Sequence, residues 1–278
     1  MDIKVYLSYS CRGYKGIPSQ FIINLHKISA YYLKKNFKNV NLITDSISKK
    51  YFENIPWDSI TTELDIVPED YPSVWSLSKL YAYKIITNKN EPFIHVDNDV
   101  ILWKGLDDDF LKSEVFAQSP EDAATWLYEP EKLYNNCPNL YVLENRNFLS
   151  AYNVGIFGGT NIDFIKEYSE QSIKFVEDPN NKKFWQEYKG YANHWSKATT
   201  AEQWFLGALA EYNNIKVNTL FPKVAFPSPE EAKAKYYTHM MDKKRCHIEQ
   251  EKINSLANRI VKIDNNLYNL GFDNEDYN

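Results

Sequence analysis

Apolar residues along this chain recur at two spacings, and the change from one to the other predicts its elements. Ile3 to Ser8 reads as a strand, and the glycine-containing loop CRGYKGIPS follows it. Behind Ser19, the residues Phe21, Ile22, Leu25, Ile28, Tyr32, Leu33 and Phe37 share one face at helical spacing. Val40 to Thr44 predicts a second strand ending at Asp45, and Ile60 to Ile66 a short third one. Val74, Leu77, Tyr81 and Lys84 mark a second helix, and the run PFIHVDNDVIL (Pro92 to Leu102) comes next. Farther on, Glu114–Gln118 and Tyr152–Gly159 are strand-like, with Asn161 placed to cap the helix that follows the second of these. Asp163–Phe175 and Thr199–Tyr212 are helical, and Tyr236–His239 is a short late strand. This order predicts one α/β domain, residues 1–244, built on a sheet with parallel neighbours. In the tail, 245–278, Ile253, Leu256, Ile260, Ile263, Leu267 and Leu270 repeat at spacings of three and four. Such a seam predicts a C-terminal helix that either docks on the body or pairs with a second copy.

The run PFIHVDNDVIL raises a physical question, because it places two carboxylates inside a segment suited to burial. A buried carboxylate is costly unless it is paired, hydrogen-bonded or bound to a metal. Strand periodicity puts Asp97 and Asp99 on one side, with Asn98 turned away. Two convergent carboxylates repel, and a hard divalent cation such as Mg²⁺ or Mn²⁺ relieves that repulsion while recruiting substrate phosphates. The pair also stands at the carboxyl end of an apolar run, where ligands of α/β sheets bind. His95 shares that side by period and reads as a core histidine. His194 carries no argument of its own.

Charge and composition narrow the classes. The formal net charge of −5 gives no basic footprint for nucleic acid or an anionic membrane. An acidic protein that binds an anionic substrate therefore needs a metal or a local basic cluster. Cys11, Cys137 and Cys246 are too scattered for a disulfide framework or a zinc knuckle. With no basic and apolar leader and no membrane-length apolar run, a cytoplasmic setting is expected. The 21 tyrosines exceed what packing usually asks for, and read either as core or as lining of a sugar cleft.

The segment WSLSKLYAYKIITNKNEPFIHVDNDVILWKGL resembles the core of GT-A glycosyltransferases, above all the retaining family 8 enzymes, glycogenin-like and galactosyltransferase-like. Three further segments agree in order and spacing: YNVGIFGG with Asn153 and Gly155, Thr200–Trp204 with Glu202 and Gln203, and YYTHMMDKKR with His239, Lys243 and Lys244. The resemblance implies a GT-A (Rossmann-like) mixed sheet flanked by helices. It implies a metal held by Asp97, Asp99 and His239, and a UDP-sugar donor contacted by Lys79 and Asp97, its diphosphate gripped by Lys243 or Lys244. Glu202, Asn153 and Gln203 would serve catalysis at the sugar, and a glycan or other hydroxyl group would be the acceptor. Glu202 departs from the acid usual there, an aspartate, and the His–Lys segment lacks the family's Gly and Pro. Two other readings stand beside it. One is a GT-A-like module that binds nucleotide or sugar without catalysis. The other is a haloacid-dehalogenase-type phosphatase with Asp97 as nucleophile.

Overall fold

The computed structural model describes residues 3–12, 16–71, 74–122, 150–187, 197–224, 227–240, 247–265 and 271–272. In chain order the elements are β1 (Lys4–Tyr9), α1 (Gln20–Asn36), β2 (Asn39–Thr44), α2 (Ser46–Phe52), β3 (Ser59–Thr61), a 3₁₀ turn (Glu63–Ile66), α3 (Leu77–Thr87), β4 (Phe93–Val96), β5 (Val100–Leu102), α4 (Asp108–Leu111) and β6 (Val115–Asp122). Then come β7 (Ser150–Gly159), α5 (Ile162–Glu177), α6 (Pro179–Glu187), a π-helical turn (Thr200–Trp204), α7 (Phe205–Tyr212), β8 (Val217–Thr219), α8 (Pro229–Ala234), β9 (Tyr237–His239), α9 (His247–Ile263), β10 (Asp264–Asn265) and β11 (Gly271–Phe272).

Seven strands form one mixed sheet in the order β3-β2-β1-β4-β7-β6-β8. The strands β3, β2, β1 and β4 run parallel, and β7 lies antiparallel between β4 and β6. The expected α/β architecture with a mixed sheet, flanking helices and a C-terminal helix is therefore what the chain builds. Alternate residues of the central strands feed two cores. Val5, Leu7, Val40, Leu42, Ile94 and Val96 join one cluster, while Tyr6, Ile43 and Phe93 join another that includes α3, α5 and α7. Both faces are covered, which is why β4 reads as an unbroken apolar run. From β1 the chain builds outward through β2 and β3, then returns to β1's other side with β4. That reversal opens a crevice at the carboxyl ends of β1 and β4, the place where open α/β sheets bind ligands.

Local signals explain most of the boundaries. The Ser19 hydroxyl accepts from Ile22 N at the start of α1, and Asn161 Oδ1 accepts from Phe164 N at the start of α5. The expected third strand shortens to Ser59–Thr61. The Asp65 carboxylate accepts from the Ser46 backbone and hydroxyl, and this pulls Glu63–Ile66 into a 3₁₀ turn. The tail helix docks on the body: Ile253, Ala257 and Ile260 are buried against Phe21, Leu25, Ile28 and Tyr32, with Leu256 at the margin. A hydrogen bond of 2.8 Å from Asn24 Nδ2 to Asn254 Oδ1 fixes that register. Leu267 and Leu270 of the same seam lie outside the described residues. Among the described residues no helix is long and apolar enough to cross a membrane.

Asp45 ties the ends of β1 and β2 together. Its carboxylate caps α2 through Ser48 N at 2.7 Å and takes the Cys11 amide at 2.7 Å. Burial alone would raise its pKa, but hydrogen bonds from Ser10, Ser48 and Cys11 outweigh burial and hold the carboxyl below its ordinary range. Asp45→Ala should cost about 1–3 kcal/mol in urea unfolding at pH 7, for a lost cap and stranded amides. Because the folded pKa is depressed, the part carried by the ionised carboxylate is full above about pH 4, the unfolded aspartate value, and fades as pH falls through the folded one.

Candidate metal centre

The two aspartates converge by a route different from strand alternation. β4 ends at Val96, and Asp97, Asn98 and Asp99 form a turn closed by Val100 N to Asp97 O at 3.0 Å. The chain then leaves the main sheet as β5, which pairs antiparallel with β9 and sets Val100 opposite His239. The turn occurs because Asp97 N donates to Gly155 O on β7 at 2.9 Å, while Asp99 O receives Met240 N at 2.8 Å. Each aspartate is thus tied by its backbone to a different neighbouring strand. Ligand atoms of Asp97, Asp99 and His239 all lie within 4.8 Å of one another, and His239 Nε2 stands 3.4 Å from Asp99 Oδ1.

Lys79 holds the other side of Asp97. The residue is 4% exposed, and its ammonium lies 2.7 and 2.9 Å from the two carboxylate oxygens of Asp97 and 3.0 Å from Glu202 Oε1. A lysine early in a helix opposes the helix dipole, so its position in the first turn of α3 must be held by these acids. Burial pulls the Lys79 pKa down, but Asp97 and Glu202 outweigh it, and the net shift is upward. Glu202 is wholly buried. It sits in the π-helical turn Thr200–Trp204, a distortion frequent at functional sites, and its carbonyl accepts from the Tyr168 hydroxyl at 2.9 Å. Burial beside Glu202 and Asp97 drives the Tyr83 hydroxyl far above its ordinary pKa, so it remains a neutral wall of the site.

The remaining predicted residues are placed as follows. Asn153 is buried near the start of β7; its amide donates to Glu121 Oε1 at 3.0 Å and its Oδ1 accepts from Gly155 N at 3.0 Å. Gln203 is half-buried in the π turn beside Glu202. His95 is a core histidine, with Nε2 2.9 Å from the Ser8 hydroxyl across the β1–β4 crevice and Nδ1 4.0 Å from Asp97 Oδ1. Lys243 and Lys244 lie outside the described residues, as do His194, Cys137 and Cys246. Sequence reasoning missed Gln118 and Tyr237. Both touch His239, and their only signal was a polar residue within the strand-like Glu114–Gln118 and a tyrosine next to a candidate ligand.

Asp97, Asp99 and Glu202 bring three carboxylates to a place where Lys79 is the one lysine described. Two oxygen donors and one imidazole nitrogen, with negative charge in excess, suit a Mg²⁺- or Mn²⁺-type cation. Removing the lysine should uncover the charge problem. Lys79→Met is expected to lose about 3–5 kcal/mol in urea unfolding, the usual result of orphaning buried charge. Adding Glu202→Gln should return part of that loss, and strictly additive effects would argue against a shared ion-pair cluster.

Comparison with known proteins places the chain by family. A family model described as "Family of unknown function (DUF6734)" matches residues 13–269, and the chain belongs to that family. No curated protein matches it. Among solved structures it is similar to mouse xyloside xylosyltransferase 1 in its apo form, at 10% identity and a TM-score of 0.42, over 79% of this chain and 85% of that one.

Proposed function

We propose that this member of a family of unknown function is a metal-dependent glycosyltransferase of GT-A type. In this reading it moves a sugar from a nucleoside diphosphate, UDP by preference, to a glycan or other hydroxyl acceptor. The observation that carries the reading is the convergence of Asp97, Asp99 and His239 at the carboxyl end of β4, beside the crevice where the strand order reverses. The resemblance of the Trp75–Leu106 segment and of YNVGIFGG to family 8 enzymes supports it further.

The chemistry follows from charge. Breaking a sugar–phosphate bond leaves new negative charge on the departing diphosphate, and groups already in place to meet it lower the barrier. A bound Mg²⁺ or Mn²⁺ supplies Lewis acidity at that diphosphate. Asp97, Asp99 and His239 hold the cation. Lys79 fixes the Asp97 carboxylate in one orientation, so that no reorganisation accompanies reaction. Lys243 or Lys244 completes the grip on the diphosphate. Asn153, anchored by Glu121 and Gly155, faces the sugar. Glu202, whose charge is matched by Lys79, places negative potential near the anomeric carbon, with Gln203 beside it. The resemblance to the retaining family 8 enzymes favours retention of configuration, with the leaving phosphate taking the acceptor proton.

Calorimetric titration of UDP, with GDP as comparison, tests this directly. UDP should bind in the presence of Mn²⁺, bind far more weakly without metal, and lose the metal-dependent component in Asp99→Ala. GDP binding in place of UDP would keep the class and change the donor. Absence of binding by either nucleotide, with or without metal, would sink the donor site. Trapping of a phosphoaspartate at Asp97 would replace it with a phosphatase.

A further inference from the structure

We propose that Gln118 is a positioning residue for the metal centre: its side-chain carbonyl fixes the His239 ring so that Nε2 faces Asp97 and Asp99 as a free lone pair. The inference rests on the metal-centre reading above and assigns a residue that no sequence motif marked.

The backbone is shaped to deliver this side chain. Along the β6–β7 ladder, Ala117 stands opposite Phe157 and Ser119 opposite Asn153, so the register breaks at Gln118. A regular ladder would set Gln118 against Ile156 and Ser119 against Gly155. Such irregularities re-aim side chains next to active sites. Three residues of β7, Val154, Gly155 and Ile156, thus stand against Gln118 alone, and the Gln118 amide is fully buried, with Oε1 2.8 Å from His239 Nδ1. The Tyr237 hydroxyl donates to the same oxygen. Gly155 keeps the space open. A Cβ there would stand 2.3 Å from Gln118 Oε1 and 2.9 Å from His239 Nδ1.

The chemistry gives the contact its purpose. An imidazole ligates through one nitrogen when the proton resides on the other, and an acceptor at the second nitrogen decides which. Gln118 supplies that acceptor as a neutral group, so a cluster already rich in carboxylates gains no further negative charge. The arrangement has a cost, because Gln118 Nε2 is buried without a hydrogen-bond partner among the described residues. A leucine would avoid that cost but would leave the Nδ1 proton without its acceptor.

The test is Mn²⁺ affinity, read by electron paramagnetic resonance, in the wild type and in Gln118→Leu, Gln118→Glu, His239→Ala and Gln118→Leu/His239→Ala. Gln118→Leu should weaken binding about 10- to 100-fold, the usual effect of losing such a partner. Gln118→Glu, which keeps an acceptor, should stay within a few fold of wild type. In the His239→Ala background, Gln118→Leu should cause no further loss. Wild-type affinity in Gln118→Leu, or an equal loss with and without His239, would overturn the proposal and leave Gln118 a packing residue. If the wild type binds no metal, the metal-centre reading itself fails, and the proton position becomes the deciding observation. Multiple-bond ¹⁵N spectra of wild-type His239 should show a proton on Nδ1, and a bare Nδ1 would refute the assignment. The same spectra decide the matter if Gln118→Leu does not fold.

Discussion

Negative charge concentrated where the sheet ends is the constraint around which this molecule is organised. Asp99 is 4% exposed and Glu202 wholly buried, so water does little to separate these carboxylates from Asp97. In such surroundings like charges repel far more strongly than on a surface. Among the described residues, the Lys79 ammonium and the His239 imidazole meet this charge, and burial beside it raises the pKa of Tyr83 and Tyr237. Lys79 spans Asp97 and Glu202, and so couples α3, the turn after β4 and the π turn before α7. His239 approaches from the opposite side on β9.

Several parts of this design were legible in the sequence because they depend on local rules. The alternation of strand and helix, the caps at Ser19 and Asn161, and the acidic pair at the end of an apolar run follow from periodicity and capping. Other parts were not, because they depend on partners distant along the chain. The strand-like run of PFIHVDNDVIL hides a change of sheet, since β5 pairs with β9 rather than continuing β4. The turn between them is held from afar, by the ties of Asp97 N to Gly155 O and of Met240 N to Asp99 O. The helical pattern of Thr199–Tyr212 gave no sign of the π turn at Glu202, whose carbonyl accepts from Tyr168, a partner distant along the chain. Gln118 looked like the polar end of a strand until Gly155 and Tyr237 defined its surroundings.

Among the described residues, several tyrosines serve the core. Tyr31, Tyr83 and Tyr168 are among the largest fully buried side chains, and Tyr237 is nearly as enclosed. Tyr83 packs edge-on against His95 and beside Phe157, which backs the strand leading to Asp97. Trp103 likewise serves the body, stacking edge-to-face on Tyr32 and donating to the Thr238 hydroxyl at 2.9 Å. These rings form stiff walls behind the acidic turn, and stiffness matters where a ligand set must hold its geometry.

The pairing of β5 with β9 also bears on how the chain comes into being. Asp97 and Asp99 are made early during synthesis, but the strand carrying His239 follows only after β6, β7 and the π turn have been made. Closing so long a loop is entropically costly, and contacts of this separation form late. A nascent chain therefore spends much of its synthesis with Asp97 and Asp99 made while Gly155 and Met240, which tie their turn, and His239 are still missing. Docking of β9 is thus a late folding event, and it is the step that brings His239 to the two aspartates.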